Sequence, residues 1–279
     1  MRRVTKDCGL GLSAAIVVSL VAFGCEDPPK NETVAPEKAA AQALAPAPAL
    51  APAAPKPSEA DQALAEKAAE KPTEKKAVVC PKPPRVQFSD AALETEVRRK
   101  AQKPEGDMTL ADLRKVSSVD LTRSGAKVDD LDPCIFPLLT SLHHLYLGGG
   151  ELTDLSPIKG LTQIEGLRVS MNQVADLSPI AGMINMDRLD LGRTQVRDLT
   201  PLKNMKKMTE LMLDDTPVDN LAPLAGLTKL ERLSIKRTRV TDVSPLKGLT
   251  KLKFLYVGGS PVENPQAAMH PGLKISGDE

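Results

Sequence analysis

Three histidines, four cysteines and a recurring set of aspartates are the side chains of this 279-residue chain best suited to chemistry. His143 and His144 are adjacent, so on a strand they face opposite ways, and no cysteine or glutamate cluster stands near them or His270 to complete a metal site. There is no Ser-His-Asp arrangement, no G-x-S-x-G elbow and no phosphate-binding glycine loop; Gly148-Gly149-Gly150 reads as a turn at a strand end. Asp154, Asp176, Asp198 and Asp242 form a row of carboxylates that would suit a metal or acid–base work. Each, however, precedes Leu-Ser-Pro, Leu-Thr-Pro or Val-Ser-Pro, where it can cap a short helical turn that tolerates proline at its start. Asn220, an equally good cap and a poor acid, fills the same place in one copy. No catalytic residue, metal site or cofactor is expected, and the chain reads as a non-enzyme.

Those aspartates recur because a 22-residue block returns six times between Leu139 and His270, as in LTKLERLSIKRTRVTDVSPLKG from Leu227. A fixed period of this length marks a solenoid, in which each unit buries its apolar side only against its neighbours. A seventh, longer copy is found at 113–138, where Leu113, Val116, Val119 and Leu121 match Leu139, Leu142, Leu145 and Leu147. The centre of a copy, such as Ile164-Glu165-Gly166-Leu167-Arg168-Val169-Ser170-Met171-Asn172, alternates like a strand with Leu167 and Val169 inward. Asn172 becomes Thr194, Thr216, Thr238 and Ser260 in later copies, each able to hydrogen-bond the backbone where the strand turns away. In these residues the chain resembles the leucine-rich repeat family, and its D-L-S-P-L-x-G-L ending is similar to the bacterial internalin-like class. The segment with Phe88, Leu93, Gly106 and Leu113 resembles the caps that precede such repeats. The resemblance, over roughly 86–275, implies an α/β solenoid. It would have a parallel concave β-sheet, short convex 3-10 or helical turns, a helical N-terminal cap (80–112), repeats over 113–270 and a C-terminal cap or tail at 271–279. It also implies a protein-binding role.

The N-terminus reads as an export signal over 1–24, with Arg2, Arg3 and Lys6 followed by an uncharged stretch from Cys8 to Gly24. Val21-Ala22-Phe23-Gly24-Cys25 resembles the bacterial lipobox, which implies cleavage before Cys25 and lipidation of its sulfur and new amine. An uncleaved anchor or an ordinary secretory signal is the alternative. Several acyl chains hold a protein to a membrane where one would not. Residues 25–79, including AQALAPAPALAPAAPKPSEA, hold too few large apolar side chains to fold and read as a disordered tether. With Cys8 removed and Cys25 lipidated, Cys80 and Cys134 remain in an exported, oxidising setting. A disulfide stapling the cap is the economical reading, and no histidine or carboxylate partners favour a metal between them.

Lysine plus arginine (37) nearly cancels aspartate plus glutamate (36), so no global field argues for nucleic acid. The two columns expected to project from the concave sheet are therefore the informative surface. One runs Ser118, His144, Gly166, Arg188, Glu210, Arg232, Phe254. The next runs Asp120, Tyr146, Arg168, Asp190, Met212, Ser234, Tyr256. Alternating charges along both, with Asp214 and Asp215 facing Lys236 and Arg237, account for solubility. They do not account for both tyrosines of the chain and Phe254 on an exposed face, flanked by Gly258 and Gly259. Aromatic and arginine side chains dominate interface hot spots. The expected contact residues are Tyr146, Arg168, Arg188, Glu210, Met212, Arg232, Phe254 and Tyr256, with Phe254/Tyr256 as the anchor. The expected partner is another protein at a bacterial cell envelope, reached from a lipid anchor. A glycan or cell-wall polymer is the alternative.

Overall fold

A computed structural model describes Cys80, 86–123, 125 and 127–277, all within one compact unit, Lys71–Glu279. The signal and tether assigned to 1–24 and 25–79 lie outside the described residues. The fold opens with α1 (Ala91–Ala101), whose Leu93, Val97 and Ala101 recur every four residues and are buried. Asp90 caps α1 by accepting hydrogen bonds from Ala92 N (2.7 Å) and Leu93 N (3.2 Å). Gln102 ends it in a left-handed conformation. A single-turn helix, α2 (Leu110–Leu113), follows with a capping box between Thr109 and Asp112.

Eight three-residue strands then pair in parallel and in chain order. They are β1 (Ser118–Asp120), β2 (His144–Tyr146), β3 (Gly166–Arg168), β4 (Arg188–Asp190), β5 (Glu210–Met212), β6 (Arg232–Ser234), β7 (Phe254–Tyr256) and β8 (Lys274–Ser276). A 3-10 turn lies between each pair from β1–β2 to β7–β8, and each of these turns carries proline at its start. The aspartates assigned as caps act one residue ahead of the helical N-cap. Asp154, Asp176, Asp198 and Asp242 each accept from the backbone N–H two residues on, at 2.7–2.8 Å. Asn220 does the same at 2.9 Å. These are Asx turns, which bend the chain into the proline-led turn.

One continuous core runs through the stack. In a single coil Ile164, Leu167, Val169, Val174, Leu177 and Ile180 are each at most 1% exposed, and the aligned residues of the next coils repeat this. Beside the aliphatic spine runs a polar one. Asn172, fully buried, donates to Gly148 O (3.0 Å), Val169 O (3.1 Å) and Ser170 O (3.1 Å) and accepts from Leu152 N (3.3 Å). Thr194, Thr216 and Thr238 donate to the carbonyls of Leu191, Leu213 and Ile235. Ser260 reaches back to Ile235 O and accepts from Thr238 N.

The N-terminal cap closes the first edge of the sheet. Glu96, held by Arg99 at 2.7 and 2.8 Å, accepts from the free-edge N–H of Asp120 at 3.3 Å, and Lys100 donates to Ser118 Oγ. An edge strand covered in this way is no template for another chain. The Cys80–Cys134 disulfide is present. Ser89 is tied to Asp132, which also accepts from Cys134 N and Ile135 N. Asp112 accepts from Lys103 (2.8 Å), Thr109 and Lys115 (3.0 Å), and these bonds, Lys103 first, hold its carboxyl far below the usual carboxylate range.

Candidate concave-face binding site

The register fixes which outward side chains share a column. His144, Gly166, Arg188, Glu210, Arg232, Phe254 and Lys274 pair successively across β2–β8, as do Tyr146, Arg168, Asp190, Met212, Ser234, Tyr256 and Ser276. Adjacent strands lie about 4.8 Å apart, so neighbours in a column touch. Tyr146, Arg168, Glu210, Met212, Phe254 and Tyr256 are half-buried, while Arg188 and Arg232 are exposed.

The middle of the face is an ion-pair ladder. Arg168 meets Asp190 at 3.3 Å, and Glu210 is shared by Arg188 (4.0 Å) and Arg232 (3.2 Å). Asp215 is gripped by Arg237 and reached by Arg193 at 3.4 Å. Arg237, then Arg193, keeps its carboxyl below the usual range against the opposing effect of burial. Asp214 departs from the expected pairing with Lys236. It accepts the Ser234 hydroxyl and the backbone N–H of Lys236, while the Lys236 ammonium lies 5.5 Å over the Tyr256 ring. A hydroxyl and an amide on the same turn offer Asp214 two fixed donors, which frees the long lysine stem to pack on the aromatic face.

Aromatic pairs occupy the two ends. His144 and Tyr146 stack with centroids 6.1 Å apart, and His143 faces away, its Nδ1 donating to Ser141 O. Gly166 on the next strand makes room for them: a Cβ there would fall 2.7 Å from His144 Nδ1 and 3.1 Å from the Tyr146 hydroxyl. Sequence reasoning did not single out Gly166 as this floor; its signal was a glycine in a column otherwise filled by larger side chains. At the other end Phe254 and Tyr256 are nearly parallel, with centroids 6.4 Å apart. The neighbouring glycines do not leave these rings bare. Arg232 lies 5.6 Å and Lys274 5.9 Å from the Phe254 centroid, so cations from both adjacent strands flank one ring. Lys274 belongs to β8, which adds to the aromatic edge without burying it.

A further column was hidden in the sequence. Met171, Arg193, Asp215, Arg237 and Gly259, spaced by the repeat, all adopt φ between 52° and 71°. Left-handed backbone favours glycine, and only Gly259 betrays the position. Between this column and the ladder lies a shallow depression of about 250 Å³ with Met171 and Met212 on its sides. Among the described residues no group of three or more His, Cys, Asp or Glu is placed to hold a metal ion, and no helix is long and apolar enough to cross a membrane.

No protein-family model matches the chain, and no curated protein does. Solved structures do. Internalin C2 of Listeria monocytogenes aligns at 28% identity with a TM-score of 0.61, covering 72% of this chain and 100% of that one. An internalin (inlF) of the same species aligns at 25% identity and a TM-score of 0.53, covering 64% of this chain and 59% of that one. A leucine-rich repeat protein of Leptospira interrogans shares the fold at 19% identity and a TM-score of 0.50, over 54% of this chain and 40% of that one. The described residues form a bacterial-type leucine-rich repeat solenoid related to the internalins, a scaffold whose open sheet serves interaction with other proteins.

Proposed function

We propose that the protein is a non-enzymatic binding module of the bacterial cell envelope, anchored through lipidated Cys25 and held off the membrane by the tether at 25–79. It engages a partner protein through the concave sheet, with Phe254 and Tyr256 as the central anchor, Arg232 beside them, and Tyr146 as a second contact. Arg168, Arg188, Glu210 and Met212 line the surface between. The observation that carries this reading is the aromatic pair flanked by Arg232, Lys236 and Lys274 on an otherwise charge-paired sheet. Half-buried rings with cations at their faces are the side chains that carry most binding energy when a partner excludes water.

Capture of envelope proteins by the full chain tests the reading, with Phe254→Ser/Tyr256→Ser as the comparison. Loss of capture with an unchanged circular dichroism spectrum supports it; equal capture removes it. Cys25→Ser should release the protein from the membrane fraction if the anchor is as proposed. The stacked His144–Tyr146 pair above Gly166 also suits a sugar ring, so binding to a glycan or cell-wall polymer is the second reading. A glycan array on the same protein separates the two.

A further inference from the structure

We infer that the partner presents an acidic polypeptide segment with an apolar side chain between its carboxylates, a deepening that rests on the concave-face reading above. The carboxylates bordering the Phe254/Tyr256 end are already engaged. Glu210 is taken by Arg232 and Arg188, Glu231 by Lys253 at 2.7 Å, and Asp215 by Arg237 and Arg193. Asp214 is taken by the Ser234 hydroxyl and the Lys236 amide. Two ammonium groups are not so engaged. Among the described residues neither Lys236 nor Lys274 meets a carboxylate; each rests on a ring, at 5.5 Å from Tyr256 and 5.9 Å from Phe254. Arg232 shares its single carboxylate and also lies against Phe254. The result is a local excess of positive charge on a nearly neutral protein.

The rings do more than fill space. A lysine laid along an aromatic face has fewer rotamers to lose when an anion arrives, so part of the ordering cost of binding is met before the partner docks. Gly258 and Gly259 keep the strand exit free of side chains. A Cβ at Gly259 would lie 2.8 Å from Arg237 Cγ, so glycine there lets the Arg237 stem lie against the strand exit rather than over the rings. The cations sit on both flanks of the ring pair, which matches carboxylates a few residues apart with an apolar residue between them. A flat polyanion fits less well, because the cations without a carboxylate are confined to this one end, while farther along the face Arg168 and Arg188 are already paired with Asp190 and Glu210.

The test uses the full chain and defined probes. These are twelve-residue peptides with Asp or Glu around a Leu or Phe, the same peptides with Asn and Gln in their place, phosphatidylglycerol vesicles, and heparin. The acidic peptides should bind at low ionic strength, weaken as salt is added, and lose roughly ten-fold or more in affinity as their amide counterparts. Lys236→Gln/Lys274→Gln, which leaves the core untouched, should cost about ten-fold and flatten the salt dependence. Equal binding by the amide peptides, no binding by any peptide, or binding by vesicles or heparin alone would overturn the inference. Envelope-protein capture that still needs Phe254 and Tyr256 in those cases would leave the concave-face reading standing and discard only the acidic class.

Discussion

Replacing Asn172 with alanine should destabilise the solenoid more than any comparable change at the aligned threonines. Asn172 is fully buried and its amide joins two coils, taking Leu152 N–H and Gly148 C=O from the preceding coil as well as two carbonyls of its own. Alanine strands the buried Leu152 N–H and takes the partner from the half-buried Gly148 carbonyl, at about 1–3 kcal/mol for the first and less for the second, so the expected loss is about 3 kcal/mol. Thr216 makes one bond, to Leu213 O at 2.6 Å within its own coil, and Thr216→Val keeps its shape, so about 1 kcal/mol is expected there. Asn172→Thr should fall between, because one hydroxyl can reproduce the bond to Val169 O but cannot span two coils. Urea titrations read these as shifts in midpoint at constant slope. Equal losses for Asn172→Ala and Thr216→Val, or a loss below about 1 kcal/mol for the former, would refute the claim that the polar spine ties neighbouring coils together.

Three further outcomes follow from the same structure. Gly150→Ala should destabilise by about 1–3 kcal/mol in urea, because its Cβ would press on the backbone of Val128. Cys134→Ser opens a linkage between residues 54 apart, and chain entropy sets the loss at about 4 kcal/mol, measured by thermal or urea unfolding of the oxidised and variant proteins. The acidic stability of the N-terminal cap has a definite sign. Asp112 is held below its unfolded value of 3.8 by Lys103, Thr109 and Lys115, so its contribution is present above that value and lost as pH falls beneath it. Burial opposes ionisation of Asp132, but bonds from Ser89, Cys134 N and Ile135 N outweigh it and lower that group as well. Hydrogen exchange between pH 5 and pH 2.5 should show α1 and α2 losing protection before β4–β6, and Asp112→Asn should blunt the difference.

The strand columns were legible because a strict 22-residue period carries each position onto the next coil, so one inward Leu fixes the rest. Asn172 and the threonines were legible for the same reason: a polar residue recurring beside buried leucines must satisfy backbone. Three features were not. The left-handed column is masked by Met171, Arg193 and Arg237, side chains that no propensity places at φ near 55°, and only Asp215 among the non-glycines there is of a type that favours it. There the hydrogen bonds from Met171 N to Gly192 O and from Arg193 N to Asp214 O impose the conformation on whatever residue occupies it. Lys236 was matched to Asp214 by charge alone, whereas short fixed donors outcompete a flexible ammonium for a carboxylate. Lys274 entered the site only through the β7–β8 register, which lies past the last regular repeat where Pro265 breaks the pattern.

A photo-crosslinking phenylalanine derivative that keeps an aromatic ring at position 256, and the same residue separately at Lys203 on the convex 3-10 turn, would locate the partner directly in intact envelopes. A covalent adduct should form from position 256, abolished by Phe254→Ser, and none from position 203. An adduct from position 203 alone, or one from position 256 that persists without the Phe254 ring, would contradict the concave-face reading.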